Sequence, residues 1–528
     1  MRRLLGRLAS EKGRLSGFSI MSAGNLLVAL LTYLRQAEIA RIFGATWQTD
    51  AYAVALVFPM LAQQVVSHAF GSSFIPIYAA VMHGKGKRAA DLLVSRILCW
   101  IGLAGLLVVT LLLVTSRALV TAAGPGLSST TLDLSSSMLR IMLPILVLSS
   151  LSGILNGIVT YRKRFGLVSM LNVLNILVAL VVLLVGHGRY GIMVLPLSGL
   201  AAAIVVFCAS LFLALRLGAR VHPMLDPREE DFHRLLGLAA PVVLGSLVGF
   251  LGPVADKILA SFLKESSVTA LEYAVRIKNI AMSLLFMPMV ALSDVGLSRK
   301  AAEGDIGAFR SEMYDLLNWT SIIMLPCAAL LSALAIPIVS VLFMRGSFGL
   351  QDARLVGYAL AFYAPWLAQF GFGSVVSRGF YALKDSKTPV LIGIWGVAAN
   401  VLLNIILIGP LGIGGLALAT TVSSAAKTVL LTWFIRKKTG SSGWRAVVVE
   451  HVRLLSSTAL MTLTAVLLMR VLPAGLEEPL LTRLAHLGIW MVPSLGVYLA
   501  ALRMLGSTTL ARLATRIGMS GRGGNTLQ

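Results

Sequence analysis

Seven ionisable side chains stand where an apolar sequence should not carry them: Arg35, Asp50, Asp256, Lys257, Arg276, Lys278 and Asp294. Each falls within or at the edge of an apolar run. A charge deep in a bilayer costs about 3 kcal/mol or more, so such groups are expected to face a cavity or a partner. Arg35 and Arg276 carry the sharpest chemistry. A guanidinium offers a planar fork of donors that matches phosphate oxygens, and two of them could bind one diphosphate. The alternative is that each arginine pairs with a nearby carboxylate, Asp256 serving Lys257 or Arg276. Asp50, Gln63, Gln64, His68, Asp256, Lys257 and Lys278 are further polar groups that could line the same cavity. His68 could titrate near neutral pH or sit as a satisfied polar residue. Covalent catalysis has little support. The sequence lacks a zinc-binding His-Glu-x-x-His, a phosphate-binding Gly-Lys-Ser/Thr loop and a Gly-x-Ser-x-Gly elbow. We expect a transporter rather than an enzyme, with no cofactor and no metal.

The elements that must hold these residues are membrane helices. The 528 residues are 57% hydrophobic and only 13% charged, with a mean hydropathy of +0.87. Runs of roughly 20 apolar residues, each long enough to cross a bilayer, recur from end to end. The fold expected is therefore all-α and polytopic, with about fourteen transmembrane helices. The first six spans are Phe18 to Phe43, Ala51 to Ser73, Leu92 to Thr115, Met138 to Tyr161, Leu167 to Val185 and Met193 to Leu217. The next six are Leu235 to Leu263, Leu271 to Leu297, Trp319 to Phe343, Leu355 to Ala382, Val390 to Ile408 and Gly412 to Ile435. Leu454 to Leu472 and Leu484 to Leu505 complete the set. Cys99, Cys208 and Cys327 all lie inside spans and read as small buried hydrophobes.

The net charge of +23 would suggest nucleic acid in a soluble protein. Here the Lys and Arg residues gather in alternate loops, as orientation by cytoplasmic positive charge requires, so no nucleic-acid partner is expected. Lys85-Gly-Lys87-Arg88, Arg162-Lys163-Arg164 and the stretch from Arg436 to Arg453 are among these loops. Both termini are then cytoplasmic, and the basic N-terminal arm reads as retained rather than as a signal peptide.

The chain also repeats itself. Asn156-Gly-Ile-Val-Thr-Tyr161-Arg-Lys-Arg-Phe165 precedes a run with Asn172 and Asn175. Arg378-Gly-Phe-Tyr381-Ala-Leu-Lys-Asp-Ser-Lys387 precedes one with Asn400 and Asn404. Ala51-Tyr52-Ala-Val recurs as Glu272-Tyr273-Ala-Val. The unit is six helices, and an even number keeps both copies in one orientation, related by an axis along the membrane normal. The expected organisation is a cytoplasmic arm (1–17), an N-terminal lobe of helices one to six (18–217) and a linker (218–234). A C-terminal lobe of helices seven to twelve (235–435), a second linker (436–453), helices thirteen and fourteen (454–505) and a cytoplasmic tail (506–528) follow. The two lobes are expected to face each other across a central cavity. Pro144, Pro241, Pro288, Pro326 and Pro365 lie within spans and could kink them.

Four segments in order resemble the MurJ/MviN family of lipid II flippases, within the wider superfamily of multidrug and oligosaccharidyl-lipid exporters. They are Arg35-Gln-Ala-Glu-Ile-Ala-Arg41 through Asp50-Ala51-Tyr52, Leu342-Phe-Met-Arg345-Gly346-Ser-Phe348 with Asp352, Phe380-Tyr381-Ala382 through Asp385-Ser-Lys387-Thr-Pro389, and Gly412-Ile-Gly-Gly415-Leu-Ala417. The resemblance implies outward flipping of an undecaprenyl-diphosphate-linked peptidoglycan precursor across the bacterial inner membrane by alternating access. It implies that Arg35 and Arg276 bind the diphosphate and that helices thirteen and fourteen form a groove for the lipid tail. Membrane lipids are the other partners expected of a monomer that works with envelope-synthesis machinery. The sequence departs from the family pattern at Ala29, Gln36, Gln63, Gln64 and Asn279, where charged residues are usual. Those departures leave open a flippase for an exopolysaccharide repeat unit. A cation-coupled multidrug-type exporter is the more distant alternative.

Overall fold

The computed structural model describes residues 24–512 apart from 25, 223, 227–233, 235–236, 238–242, 244–249 and 287–295. Among the described residues the regular structure is helical, without strands. Among the described residues nine helical stretches are long and apolar enough to cross a membrane. One of them, Phe165–Arg216, is 52 residues long and holds two successive helices each long enough to cross by itself. Large apolar side chains such as Leu107, Val185, Leu391, Val429 and Val492 are largely exposed on the surface. That is unfavourable in water and expected against lipid chains. The protein is a multi-pass membrane protein.

The chain divides into two compact units, residues 1–269 and 270–528. In the first, α1 (residues 26–43) is followed by α2 (Trp47–Ala55), α3 (Val57–Gly84), α4 (Gly86–Val114) and α5 (Ser116–Ala123). Next come α6 (Ser129–Met142), α7 (Pro144–Tyr161), α8 (Phe165–Tyr190), α9 (Val194–Arg216) and α10 (residues 250–260). The boundary between units falls in the first turn of α11 (Ser267–Leu285). The second unit continues with α12 (residues 296–302), α13 (Ile306–Ala333), α14 (Ala335–Phe343), α15 (Leu350–Tyr363) and α16 (Trp366–Ala382). It ends with α17 (Lys387–Leu411), α18 (Ile413–Thr439), α19 (Trp444–Val471) and α20 (Leu480–Met504).

Each described unit is built to the same plan. In the first, α4 packs on α5 and α7, α6 on α5 and α9, and α9 on α7 and α8. In the second, α13 packs on α14 and α16, α15 on α14 and α18, and α18 on α16 and α17. The landmarks recur at one interval. The distance in sequence from Tyr52 to Tyr273 also separates Pro144 from Pro365, Lys163 from Lys384 and Gly191 from Gly412. Pro144 opens α7 and Pro365 caps α16, so each stands where one membrane crossing breaks into two helices. Proline has no N–H to donate and clashes with the preceding turn, so the break falls where the ring is. Pro326, by contrast, sits inside the continuous α13, and Pro241 and Pro288 lie outside the described residues. Lys163 and Lys384 follow the ends of α7 and α16 with φ of 58° and 59°. Gly191 and Gly412 end α8 and α17 with φ of 52° and 53°. That region is open to glycine without a Cβ clash, which lets each hairpin turn back within a few residues.

The same interval sets the register of the two similar segments: Gly157 stands opposite Arg378. Asn400 and Asn404 are buried in α17 while Asn172 is exposed on α8, so the paired asparagines are not equivalent positions. Gly157 has its own reason to be small: a Cβ there would lie 2.5 Å from the ring of Phe74. Phe74, Tyr78, Leu93, Ile97, Ile154 and Leu155 form the core that joins α3, α4 and α7. In the second unit Phe309, Met313, Val376, Phe380, Leu431 and Ile435 join α13, α16 and α18.

Helices α19 and α20 have no counterpart in the first unit. They pack on each other, and α19 also packs on α13. Met461, Trp490 and Tyr498 meet Ile322 and Leu330 there. Described helices coincide with every expected span except for parts of the first, seventh and eighth, which fall outside the described residues.

Candidate functional site

Arg35 lies near the middle of α1 and is partly buried. Its Nη2 donates to the Tyr52 hydroxyl at 3.3 Å and to Ser198 Oγ at 3.5 Å. Both partners are neutral. The Nε is buried with no acceptor. A buried guanidinium N–H left unmatched is unfavourable in a finished structure. Among the described residues no carboxylate pairs with Arg35.

Arg276 is held differently. It lies on α11, and its Nη2 is 3.2 Å from Glu272 Oε1, one turn earlier. A glutamate four residues before an arginine is the favourable order along a helix. The Nε of Arg276 is again buried without an acceptor. The carboxylate beside this arginine is thus Glu272, a residue that the reading of the sequence did not single out.

Lys278, a helical turn's fraction further along α11, is buried. Its Nζ stands 4.0 Å from the centre of the Trp366 ring and 4.8 Å from that of Tyr363. Those rings flank Pro365 at the break between α15 and α16. The face of an aromatic ring attracts a cation, more strongly where water is excluded. The break therefore places two aromatic faces around one ammonium.

Asp50 was expected to be able to line a cavity, and the structure gives it another task. It is 1% exposed. Its carboxylate accepts from Ser266 N, Thr269 N and Thr269 Oγ1, each at 2.7 Å. These are orphan donors at the start of α11, so Asp50 caps that helix from α2. Ser266 carries a φ of 73°, a strained value for a serine that this cap helps to hold. Lys257 works from the opposite direction. Its Nζ donates at 3.1 Å to the carbonyl of Ala53 in the last turns of α2, where the helix dipole favours a cation. Glu265 accepts from Trp47 N at 3.2 Å, at the positive end of the same helix. Asp50, Lys257 and Glu265 together lock α2 to the corner between α10 and α11. Asp256 is buried on α10. Gln63 is exposed on α3, and the side chains of Gln64 and His68 and all of Asp294 lie outside the described residues.

Several polar groups were missed. Glu450 is buried on α19 and accepts from Thr508 N at 3.2 Å and Thr509 N at 3.1 Å, with a further bond from Ser507 Oγ. It anchors the segment after α20. Arg483 of α20 donates to the carbonyls of Ser340 and Met344 and ties that helix to α14. Inside the second unit a cavity of about 470 Å³ opens between α12, α16 and α18, lined by Ser298, Ser374, Arg378, Ser424, Lys427 and Thr428 among others. The signal for Lys427 was present in the sequence: it is a lysine midway along an apolar span.

The loop groups behave conventionally. Asp385, between α16 and α17, accepts from Lys438 Nζ at 2.8 Å and from Thr388 N at 3.1 Å. Chiefly the Lys438 bond holds its carboxyl at about 2, below the ordinary 3.8.

Comparison with known proteins places this architecture. The family described as lipid II flippase MurJ matches residues 39–481. A lipid II flippase MurJ of Burkholderia cenocepacia is 29% identical over 451 residues, covering 81% of this chain and 84% of that protein. A probable lipid II flippase MurJ of Thermotoga maritima is 26% identical over 413 residues, covering 78% of this chain and 83% of that one. Among solved structures, a lipid II flippase MurJ in an inward closed conformation superposes with a TM-score of 0.77 at 22% identity, over 92% of this chain and 98% of that one. An inward-facing multidrug resistance MATE family transporter of the MOP superfamily superposes with a TM-score of 0.68 at 18% identity, over 78% of this chain and 94% of that one. These likenesses carry the fold, and the family match spans most of the sequence: the chain belongs to the lipid II flippase MurJ family.

Proposed function

We propose that this protein flips lipid II, the polyprenyl-diphosphate-linked peptidoglycan precursor, from the cytoplasmic to the periplasmic face of the bacterial inner membrane by alternating access. Membership of the family supports the substrate. The single observation that carries the chemistry is Arg35: a guanidinium within a membrane helix that, among the described residues, is held by hydroxyls and has a buried Nε without an acceptor. A diphosphate oxygen supplies what that group lacks. Arg276 is the second ligand of the diphosphate, and its contact with Glu272 is exchanged for the substrate. Substrate phosphate competes well for an arginine held by one carboxylate, because it presents more charge and more acceptor atoms. In this reading the lobes are residues 18–217 and 235–435, and both termini lie in the cytoplasm, in accord with the alternation of basic loops.

The two lobes rock while the headgroup passes between them and the polyprenyl tail stays in lipid. Lys278 keeps its charge close to Arg276 on the same helix and raises the local positive potential. Asp50 and Lys257 act at one remove, by fixing the corner from which α11 starts.

The test is complementation in a bacterium depleted of its own lipid II flippase, following survival and accumulation of lipid II. Rescue that is lost with Arg35→Ala and with Arg276→Ala supports the reading. Failure of a well-expressed, membrane-inserted wild-type chain to rescue overturns lipid II as the substrate. Rescue that survives both substitutions removes the two arginines from the site.

A further inference from the structure

The two hydroxyls that hold Arg35 are not alike. Ser198 Oγ accepts from Arg35 Nη2 at 3.5 Å and donates its own proton to the carbonyl of Leu195 at 2.7 Å. A hydroxyl has one proton to give, so that of Ser198 is committed to the first turn of α9. The Tyr52 hydroxyl accepts from the same Nη2 at 3.3 Å, and among the described residues its own proton meets no acceptor. Arg35, Tyr52 and Ser198 all belong to the first unit, on α1, α2 and α9.

The geometry suits a third atom. Bonds of 3.3 and 3.5 Å are long for N–H···O, which ordinarily spans about 2.7–3.2 Å, so the hydroxyls hold the guanidinium loosely. Because Nη2 and the Tyr52 oxygen are only 3.3 Å apart, one incoming oxygen can accept from both at about 2.8 Å. An oxygen that takes two donors at once is best when it is anionic, as on a phosphoryl group. The fold does not demand this grouping. The interval that separates Tyr52 from Tyr273 leads from Ser198 to Ala419 and from Arg35 to Asp256, so the second unit keeps the tyrosine without the serine or the arginine. There the tyrosine serves the core: Tyr273 is 1% exposed, with its ring 5.2 Å from that of Phe343 and 5.6 Å from that of Phe348. Tyr52 keeps 9% of its surface open, and Arg35 beside it is only partly buried, so an anion can reach the pair.

We propose that Tyr52 is a ligand of the substrate diphosphate: it donates its hydroxyl proton to a phosphoryl oxygen that Arg35 also binds, while Ser198 positions the arginine. The inference rests on the reading of Arg35 as a diphosphate ligand and adds a neutral donor to that site. A phenol strengthens the hold on an oxyanion without placing a second charge in the membrane.

The experiment uses the full chain in uncharged phosphatidylcholine nanodiscs. Geranyl diphosphate is the probe, titrated by calorimetry at mildly acidic pH, where a phenol keeps its proton. Arg35→Ala tests the underlying reading and should abolish binding. Tyr52→Phe removes one oxygen, keeps the ring, and should weaken binding about tenfold, the loss of one bond to a charged acceptor. A tyrosine fluorinated at the meta position, placed at Tyr52, separates a ligand from a support, because fluorine makes the phenol a stronger donor and a weaker acceptor. Donation to phosphate then tightens binding about twofold or more, whereas a tyrosine that only accepts from Arg35 holds it less well and binding weakens. Parent-like binding by Tyr52→Phe, with binding lost in Arg35→Ala, overturns the proposal and leaves the arginine reading standing. Weaker binding with the fluorinated residue makes Tyr52 a support of Arg35 and also overturns it. Binding unchanged in Arg35→Ala, or absent in the parent, removes the reading of Arg35 and the proposal with it. Both changes at Tyr52 preserve the shape of the ring, and helical circular dichroism on heating checks that each variant is folded.

Discussion

Arg35 and Arg276 are the same residue type in two halves built on one plan, yet their surroundings differ. Arg35 is held by Tyr52 and Ser198, both neutral. Arg276 already touches a carboxylate, Glu272, at 3.2 Å. A hydroxyl positions a guanidinium without offsetting its charge, whereas a carboxylate offsets it and must be displaced when a stronger anion arrives. One half therefore offers a standing attraction for an anion, and the other an exchangeable one. Repetition of the backbone preserved the landmarks of the fold and left the electrostatics free to diverge.

Four measurements break or sharpen that contrast. The largest effect belongs to charge reversal. Arg35→Glu and Arg276→Glu should each abolish rescue of a flippase-depleted strain while protein levels in the membrane stay normal, and Arg35→Glu should be the harder to suppress. Wild-type growth with either variant would remove that arginine from transport. Next is loss of the positive group without reversal. Arg35→Ala should weaken binding of a soluble polyprenyl-diphosphate analogue by about tenfold to a hundredfold, the range of one or two charge-assisted bonds. A smaller and opposite change is expected from Glu272→Gln, which releases Arg276: analogue binding should tighten about twofold to fivefold. Unchanged affinity would mean that the Glu272 contact does not compete with substrate.

The smallest effect tests residues that hold the frame. Below pH 4, thermal unfolding of the wild type should lose the contribution of Asp385, because its carboxyl is held at about 2 against the ordinary 3.8. A depressed folded-state value stabilises above the ordinary value and is lost as pH falls toward the folded one. Asp385→Asn should remove that part of the pH dependence and leave the profile between pH 5 and 8 untouched. By contrast Asp50→Ala, which strips the cap from α11, should lower stability at neutral pH by about 2 kcal/mol.

How far the sequence reached depends on which force decided each feature. Membrane crossings were legible because a bilayer imposes a length and a polarity on every helix. Pro144 and Pro365, which mark the two breaks, were legible only as two of five prolines within spans, because a missing N–H acts locally but Pro326 shows that a helix can carry it. The repeat was visible in Tyr52 and Tyr273, and the left-handed caps at Lys163 and Lys384 recur at the same interval. Asp50 read as a polar group that could line a cavity, because its partners, Ser266 and Thr269, are more than two hundred residues away in the chain. Lys278 stood out as a cation, but nothing in the sequence brought Trp366 and Tyr363 over it. Lys427 carried the same signal as the charges that were singled out and was passed over inside a long apolar run.

The sequence by itself determined that this is a membrane protein of many helices, duplicated within one chain, with arginines where hydrocarbon should be. Those properties follow from local composition and from the solvent the chain must live in. Only the tertiary structure decided which charges are ligands in waiting and which are fasteners. A side chain's role depends on the acceptors that other helices bring within about 3 Å, and that proximity is set by packing rather than by neighbours along the chain.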